Sequence, residues 1–360
     1  METIITSKER VLAACEFRAP DRIPRFDPFW EYPNPWREAL GPLEELNDIQ
    51  IWAPDETPLP SRARFIKEEG EWLYYVDGWG RTWRRRHETY FDETLEVAMP
   101  AGTDIDSIHY EPPDLDSRYL MGHASESERD EALKKAKEQF CVFGKTGGPY
   151  LRTTMIRGET QFLMDIAQDP GLAKAIADKT ADHLAGIGTE EIRRFGLQDT
   201  GMWIYDDMAY NDGPMFSPAS FEKVFLPAYR RMIKAYKDAG AKYVFLHSDG
   251  DVRPLLDMLV DAGIDGLNPL ERRAGMNIVE IRKRYPKLIL VGGMCNSDTM
   301  INGPIERIEA EAREIIDIGR NGGVVIGAHS IGPDVPLEHY LAYHKFCGTY
   351  GNFSNKEGVS

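Results

Sequence analysis

Cysteine is nearly missing from this sequence: four residues, at positions 15, 141, 295 and 347, are scattered over 360. That number and spacing exclude a disulfide framework, so a cysteine with a role here is a thiolate, either ligand or nucleophile. Long apolar runs are missing as well. No stretch approaches the ~18 uninterrupted apolar residues of a membrane span, and the opening METIITSKERVLAACEFRAPDRIPRF has no apolar signal region. A cytoplasmic protein with no membrane role is expected. Basic charge is in deficit, with 43 Lys and Arg against 59 Asp and Glu, net −16, and no block of like charge. A nucleic-acid surface or an anionic-membrane surface is thereby disfavoured. Nor does any Gly/Ser linker, low-complexity tract or short-period repeat divide the chain. One decorated domain over 1–360 is the expectation.

What is present is a recurrence of strand and helix. After TGMWIYDDM comes SPASFEKVFLPAYRRMIKAYKDAG, where Ser217 precedes Pro218 at a first helical position and Gly240 closes the segment. The same unit recurs in KYVFLH with VRPLLDMLVDAG, DGLNPLE with MNIVEIRKRYP, LILVGGMC with PIERIEAEAREIIDIGRNG, and GVVIGAH with PLEHYLAYHKFCGTYG. Continuous apolar runs followed by amphipathic segments imply parallel strands with crossover helices. Upstream, RIPRFDP, IQIWAPDE and FCVFGKTGGPY supply three more strands. The total of eight is that of an α/β (β/α)8 TIM barrel. An insertion of about 57–138 interrupts it, read as a hairpin over 72–90 around an Asp-Gly turn and a capped, solvent-facing helix in SESERDEALKKAKEQ.

In such a barrel the C-terminal strand ends converge on one mouth. Here those ends carry Asp206 and Asp207, His247 and Asp249, Glu271, Cys295 and His329. Imidazole, carboxylate and thiolate donors together suit zinc, so His247, Glu271, Cys295 and His329 are the candidate ligands, with Asp249 as a further one. Taken singly, each has an ordinary structural role open to it: a hydrogen-bonded core histidine, a small buried cysteine, a glutamate paired with Arg272 or Arg273. Asp249, Asp206 and Asp207 could instead orient a ligand histidine or act as general acid. Among aromatics at or after strand ends, Phe29, Trp30, Trp52, Trp203, Tyr205 and Tyr210 are candidates to wall a substrate, or are ordinary core.

The ordered blocks GGPY, GPMFSPASFEKVFLPAYRR, FLHSDG, GIDGLNPLE, GGMC and AHSIGPDVPLE resemble the uroporphyrinogen decarboxylase superfamily, and within it the corrinoid-dependent methyltransferase branch. The arginine-rich RQAGRY element of the decarboxylase itself is absent, the region reading RIPRFDPFWEYPNPW, although Asp55 falls near that enzyme's catalytic aspartate. In the coenzyme M branch the zinc motif is His-x-Cys followed by a late Cys. His247 matches the first position, Asp249 stands in place of the cysteine, and His329 falls near the late one. Oxygen and nitrogen replace soft thiolate, which favours polarising an ether oxygen over activating a thiol. The resemblance therefore implies a zinc-dependent O-demethylase methyltransferase. It would move methyl from a small aromatic methyl ether to the cobalamin of a separate corrinoid carrier protein, the Asp-x-His-x-x-Gly corrinoid signature being absent here. A metal-free decarboxylase, a methylcorrinoid:thiol methyltransferase and a non-catalytic docking partner are the alternatives. For the decarboxylase, Arg25, Arg152 or Arg157 would have to line the mouth.

Overall fold

The computed structural model describes residues 5–29, 32, 34–89 and 91–354. Seven parallel strands form one sheet in chain order: β1 (Ile49–Trp52), β2 (Cys141–Gly147), β3 (Gly201–Tyr205), β4 (Tyr243–His247), β5 (Gly266–Asn268), β6 (Ile289–Met294) and β7 (Val324–Ala328). Helices return the chain between them, among them Leu226–Asp238, Arg253–Ala262 and Ile305–Gly319. Each buries one stripe. Along Leu226–Asp238, Tyr229, Met232, Ile233 and Tyr236 are buried at the spacing of a single helical face. The strands are buried on both sides, so their alternate residues divide between two cores. Ile49, Phe143, Trp203, Phe245, Val291 and Val325 fill the interior. Their neighbours pack outward against the helices.

The segment expected as the first strand closes the curl without forming a regular strand. Phe26 N donates to Ile326 O at 2.9 Å, Ile326 N to Pro24 O at 2.9 Å, and Asp48 N to Arg25 O at 2.8 Å. This short piece therefore hydrogen-bonds to β7 on one side and to the residue before β1 on the other, and its pairing reduces to a bridge between Arg25 and Ile326. Gly327 makes the approach possible, because a Cβ there would lie 1.8 Å from Phe26 O. Prolines at 24 and 28 limit the ladder, since neither has an N–H to give.

Between β1 and β2 the expected hairpin is present as the middle of a four-stranded antiparallel sheet, Arg64–Glu69, Trp72–Val76, Thr82–Arg86 and Glu93–Glu96. Tyr75 stacks on Trp83 at 4.7 Å and Arg84 lies 4.3 Å over the Trp72 ring, so cross-strand pairs hold it. The helix of this region, Glu126–Gln139, starts at Ser125, whose hydroxyl accepts from Glu128 N at 3.3 Å. No helix of the described residues is long and apolar enough to cross a membrane.

Candidate metal centre

Along β4 the inward side chains alternate as Tyr243, Phe245 and His247, so the pleat that fills the interior delivers the imidazole to the mouth. In the sheet register His247 stands between Tyr205 of β3 and Asn268 of β5. The Tyr205 ring stacks on it at 4.2 Å between centroids and 13° between planes. Asn268 Nδ2 donates to Val291 O at 3.0 Å, which turns the amide oxygen toward the imidazole, 2.5 Å from His247 Nδ1. Nδ1 thus carries the proton, and Nε2 presents its lone pair to the mouth.

The chain then turns back sharply. Ser248 N donates to Asn268 O at 3.0 Å, Asp249 N to Asp207 Oδ1 at 3.2 Å, and Gly250 N to Glu271 Oε2 at 2.6 Å. Gly250 has φ +78°, and a Cβ there would meet the Ala209 carbonyl carbon at 2.6 Å, so this position needs glycine. The turn aims Asp249 at two imidazoles, with Oδ1 2.9 Å from His329 Nε2 and 3.5 Å from His247 Nε2. His329 follows β7, whose last residue, Ala328, donates its N–H to the buried Asp27 carboxylate at 2.8 Å. One donor atom from each of His247, Asp249 and His329 lies within 4.8 Å of the others. Asp249 Oδ1 is buried without a well-formed hydrogen bond among the described residues. An acceptor so placed, facing two imidazole nitrogens, fits a cation held among the three. Two nitrogens and one oxygen, leaving a fourth position open, is the donor set of a catalytic zinc.

The electrostatics divide the two histidines. Burial pushes the His247 imidazole down, and the charges of Asp249 and Asp207 reverse this only in part. Burial also opposes charge on His329, but its pairing with Asp249, aided by Glu271 and Asp207, outweighs that and holds it above the ordinary value. For Asp249, burial raises the carboxyl while His329 and then His247 bring it below the ordinary aspartate value. One neutral imidazole, one proton-holding imidazole and one carboxylate therefore share the mouth, and a cation entering there displaces the proton of His329.

The other expected site residues are placed as follows. Glu271 holds the Gly250 N–H and acts on His329 through its charge, outside the group of three. Cys295 also lies outside it, buried, with its N–H donated to Glu311 Oε1 at 2.5 Å and its Sγ 3.7 Å from Ser297 Oγ. Asp207 stands 3.7 Å from His247 Nε2. Asp206 is fully buried and accepts from Tyr150 N, Leu151 N and Tyr229 OH at 3.1, 2.5 and 2.6 Å. Of the aromatics, Tyr205 touches the site. Trp203 lies beneath it in the interior, 5.9 Å from Tyr205. Trp52 faces the helix layer against Phe195, Phe29 packs on Tyr340, and Tyr210 is half exposed on a small hairpin. Trp30 lies outside the described residues. Asp55 is exposed and accepts from Thr57 N and Oγ1 at 3.0 and 2.6 Å. The three arginines a decarboxylase would need have protein partners: Arg25 donates to Glu45 O, Arg152 pairs with Glu56, and Arg157 pairs with Asp165.

Sequence reasoning missed Asn268, Asp27 and Lys145, the last an inward lysine of β2 whose Nζ lies 4.7 Å from the Tyr205 ring centre. The signal that found His247, a polar residue at the end of an apolar run, was also present in DGLNP and FCVFGK.

The profile of the uroporphyrinogen decarboxylase (URO-D) family matches residues 113–350. Over 146 residues the chain is 30% identical to the methylcobamide:CoM methyltransferase MtaA of Methanosarcina barkeri, a match covering 39% of this chain and only 38% of that protein. A methyltransferase from Methanosarcina mazei superposes with a TM-score of 0.68 at 19% identity, over 96% of this chain and 99% of that one, a likeness of fold.

Proposed function

The chain belongs to the uroporphyrinogen decarboxylase (URO-D) family, and from that premise we propose that it is a zinc-dependent methyltransferase acting with a corrinoid protein. Its reaction moves methyl from a methoxylated aromatic to the cobalt(I) of the partner-held corrinoid. The observation that carries this reading is the convergence of His247, Asp249 and His329, with one buried carboxylate oxygen facing both imidazoles at 2.9 and 3.5 Å. The similarity to a methylcobamide methyltransferase over part of the chain supports it. So do the protein partners of Arg25, Arg152 and Arg157, which leave little for binding the several carboxylates of a decarboxylase substrate.

A zinc ion held by the three residues would supply Lewis acidity at the ether oxygen, where negative charge develops as the methyl group leaves. The protein's own part is orientation. Asn268 fixes the imidazole of His247, Tyr205 walls it, and the turn that follows β4 brings the Asp249 oxygen back toward it. In the transfer the methyl C–O bond would break as a Co–C bond forms on the partner's corrinoid, and the phenolate released would take its proton from solvent. A donor set without thiolate is harder than one suited to thiol activation, so an ether donor is favoured over a thiol acceptor.

The test is elemental analysis joined to a methyl-transfer assay with methoxylated aromatics and cob(I)alamin. About one zinc per chain is expected, and His247→Ala should lose both the zinc and the transfer while remaining folded by circular dichroism. Metal-free wild type that transfers methyl at full rate in chelator would overturn the reading.

A further inference from the structure

Lys145, at the mouth, forms no ion pair among the described residues. Lys145 follows Cys141 and Phe143 on the inward side of β2 and so lies one step nearer the mouth than the packed interior. It is half-buried, over the ring of Tyr205, whose stack on His247 leaves a single aromatic ring between the lysine and the candidate ligand. Among the described residues no acidic side chain forms an ion pair with its ammonium. The nearby acids are otherwise engaged. Glu56 is held by Arg152 at 2.5 Å and by Gly147 N at 2.5 Å. Glu191 is fully buried, accepts the Lys145 backbone N–H at 3.3 Å, and is pushed well above the usual carboxylate range by that burial. Asp207, the third acid whose charge reaches Lys145, accepts the Asp249 N–H at 3.2 Å and stands 3.7 Å from His247 Nε2, so none of the three pairs the ammonium.

A half-buried ammonium that has an aromatic face beneath it and no ion pair gains a charge-assisted hydrogen bond when a ligand supplies the anion. We propose that Lys145 is a specificity-determining residue that binds a carboxylate on the methyl donor, so that the substrate class is methoxylated aromatic acids rather than neutral methoxyarenes. The proposal rests on the methyl-transfer reading. Its geometry is that of a ring bridging two ends of the mouth, with the ether oxygen toward His247, Asp249 and His329 and the carboxylate toward Lys145. Tyr205 lies alongside as the wall.

Two probes separate the possibilities, 3-methoxybenzoate and its neutral counterpart methoxybenzene, each assayed for methyl transfer and for direct binding by calorimetry. Wild type should prefer the acid. Lys145→Met should raise KM for 3-methoxybenzoate by about 10- to 100-fold, the loss expected for one charge-assisted hydrogen bond, with a much smaller effect on methoxybenzene and on kcat. Lys145→Arg should restore most of the preference, which a merely structural lysine would not predict. Equal use of both probes by wild type, or equal losses on both in Lys145→Met, would overturn the assignment and leave the methyl-transfer reading standing. If neither probe is demethylated but 3-methoxybenzoate binds only when Lys145 is present, the reaction is wrong and the anion site is right.

Discussion

Asn268 sits behind His247 as an orienting amide, itself pinned by the Val291 carbonyl. Such partners fix both ring rotation and tautomer, and their loss typically weakens metal affinity about 10- to 100-fold. Asn268→Ala is therefore expected to reduce zinc affinity by about that factor while leaving one site per chain, as read by competition with a chromophoric chelator. Unchanged affinity would mean the imidazole is held by packing on Tyr205 alone. Asp27 is a second residue of this kind, since it accepts from Ala328 N at 2.8 Å and Tyr340 OH at 3.0 Å just before His329. Burial pushes its carboxyl up to about 6 despite these donors. The folded chain then holds that proton more tightly than the unfolded chain does. Its contribution to stability is full below the ordinary aspartate value and is lost as pH rises through about 6. Asp27→Asn removes this titration. Between about pH 5 and about pH 8, wild type should lose on the order of 1 kcal/mol relative to the variant, measured by denaturant unfolding. A gap between the two that stays constant with pH would count against the buried ionisation.

At the scale of the elements, the helix Pro149–Arg157 begins under Asp206, whose carboxylate takes two of its backbone N–H groups and the Tyr229 hydroxyl. Gly148 permits the contact, because a Cβ there would lie 2.3 Å from Asp206 Cγ. Asp206→Ala strands three buried donors. It should cost on the order of 3 kcal/mol or more in unfolding free energy, with zinc retained. Loss of zinc at unchanged stability would instead make Asp206 part of the mouth. The elements also show what alternation can and cannot reveal. The hairpin around the Asp-Gly turn was legible, whereas its flanking strands Arg64–Glu69 and Glu93–Glu96 are exposed on every residue and so carry no apolar period to read.

For the whole molecule, the three candidate ligands all come from the C-terminal ends of β4 and β7, and on the proposed reading that end of the barrel receives a second protein's cofactor. Purified protein is then expected to show no corrinoid absorption, with methyl transfer to carrier-bound cob(I)alamin exceeding that to the free cofactor by about tenfold or more through positioning. A corrinoid that copurifies stoichiometrically with this chain would contradict this.

The repeat of apolar strand and amphipathic helix, written locally in the chain, determined the barrel, its strand order and the level at which His247, Asp249 and His329 emerge. Local pattern suffices there because pleat and helix periods are properties of consecutive residues. Which polar groups meet was decided only in three dimensions. Glu271, Cys295 and Asp249 look equivalent as strand-end donors, yet Asp249 reaches the imidazoles because Gly250 turns the chain back. Glu271 is taken up by that same turn, and the thiol of Cys295 lies near Ser297. Likewise the first strand, apolar enough to be expected, shrinks to a bridge. Its length depends on prolines at 24 and 28 and on the room above Gly327, a residue almost the whole chain away.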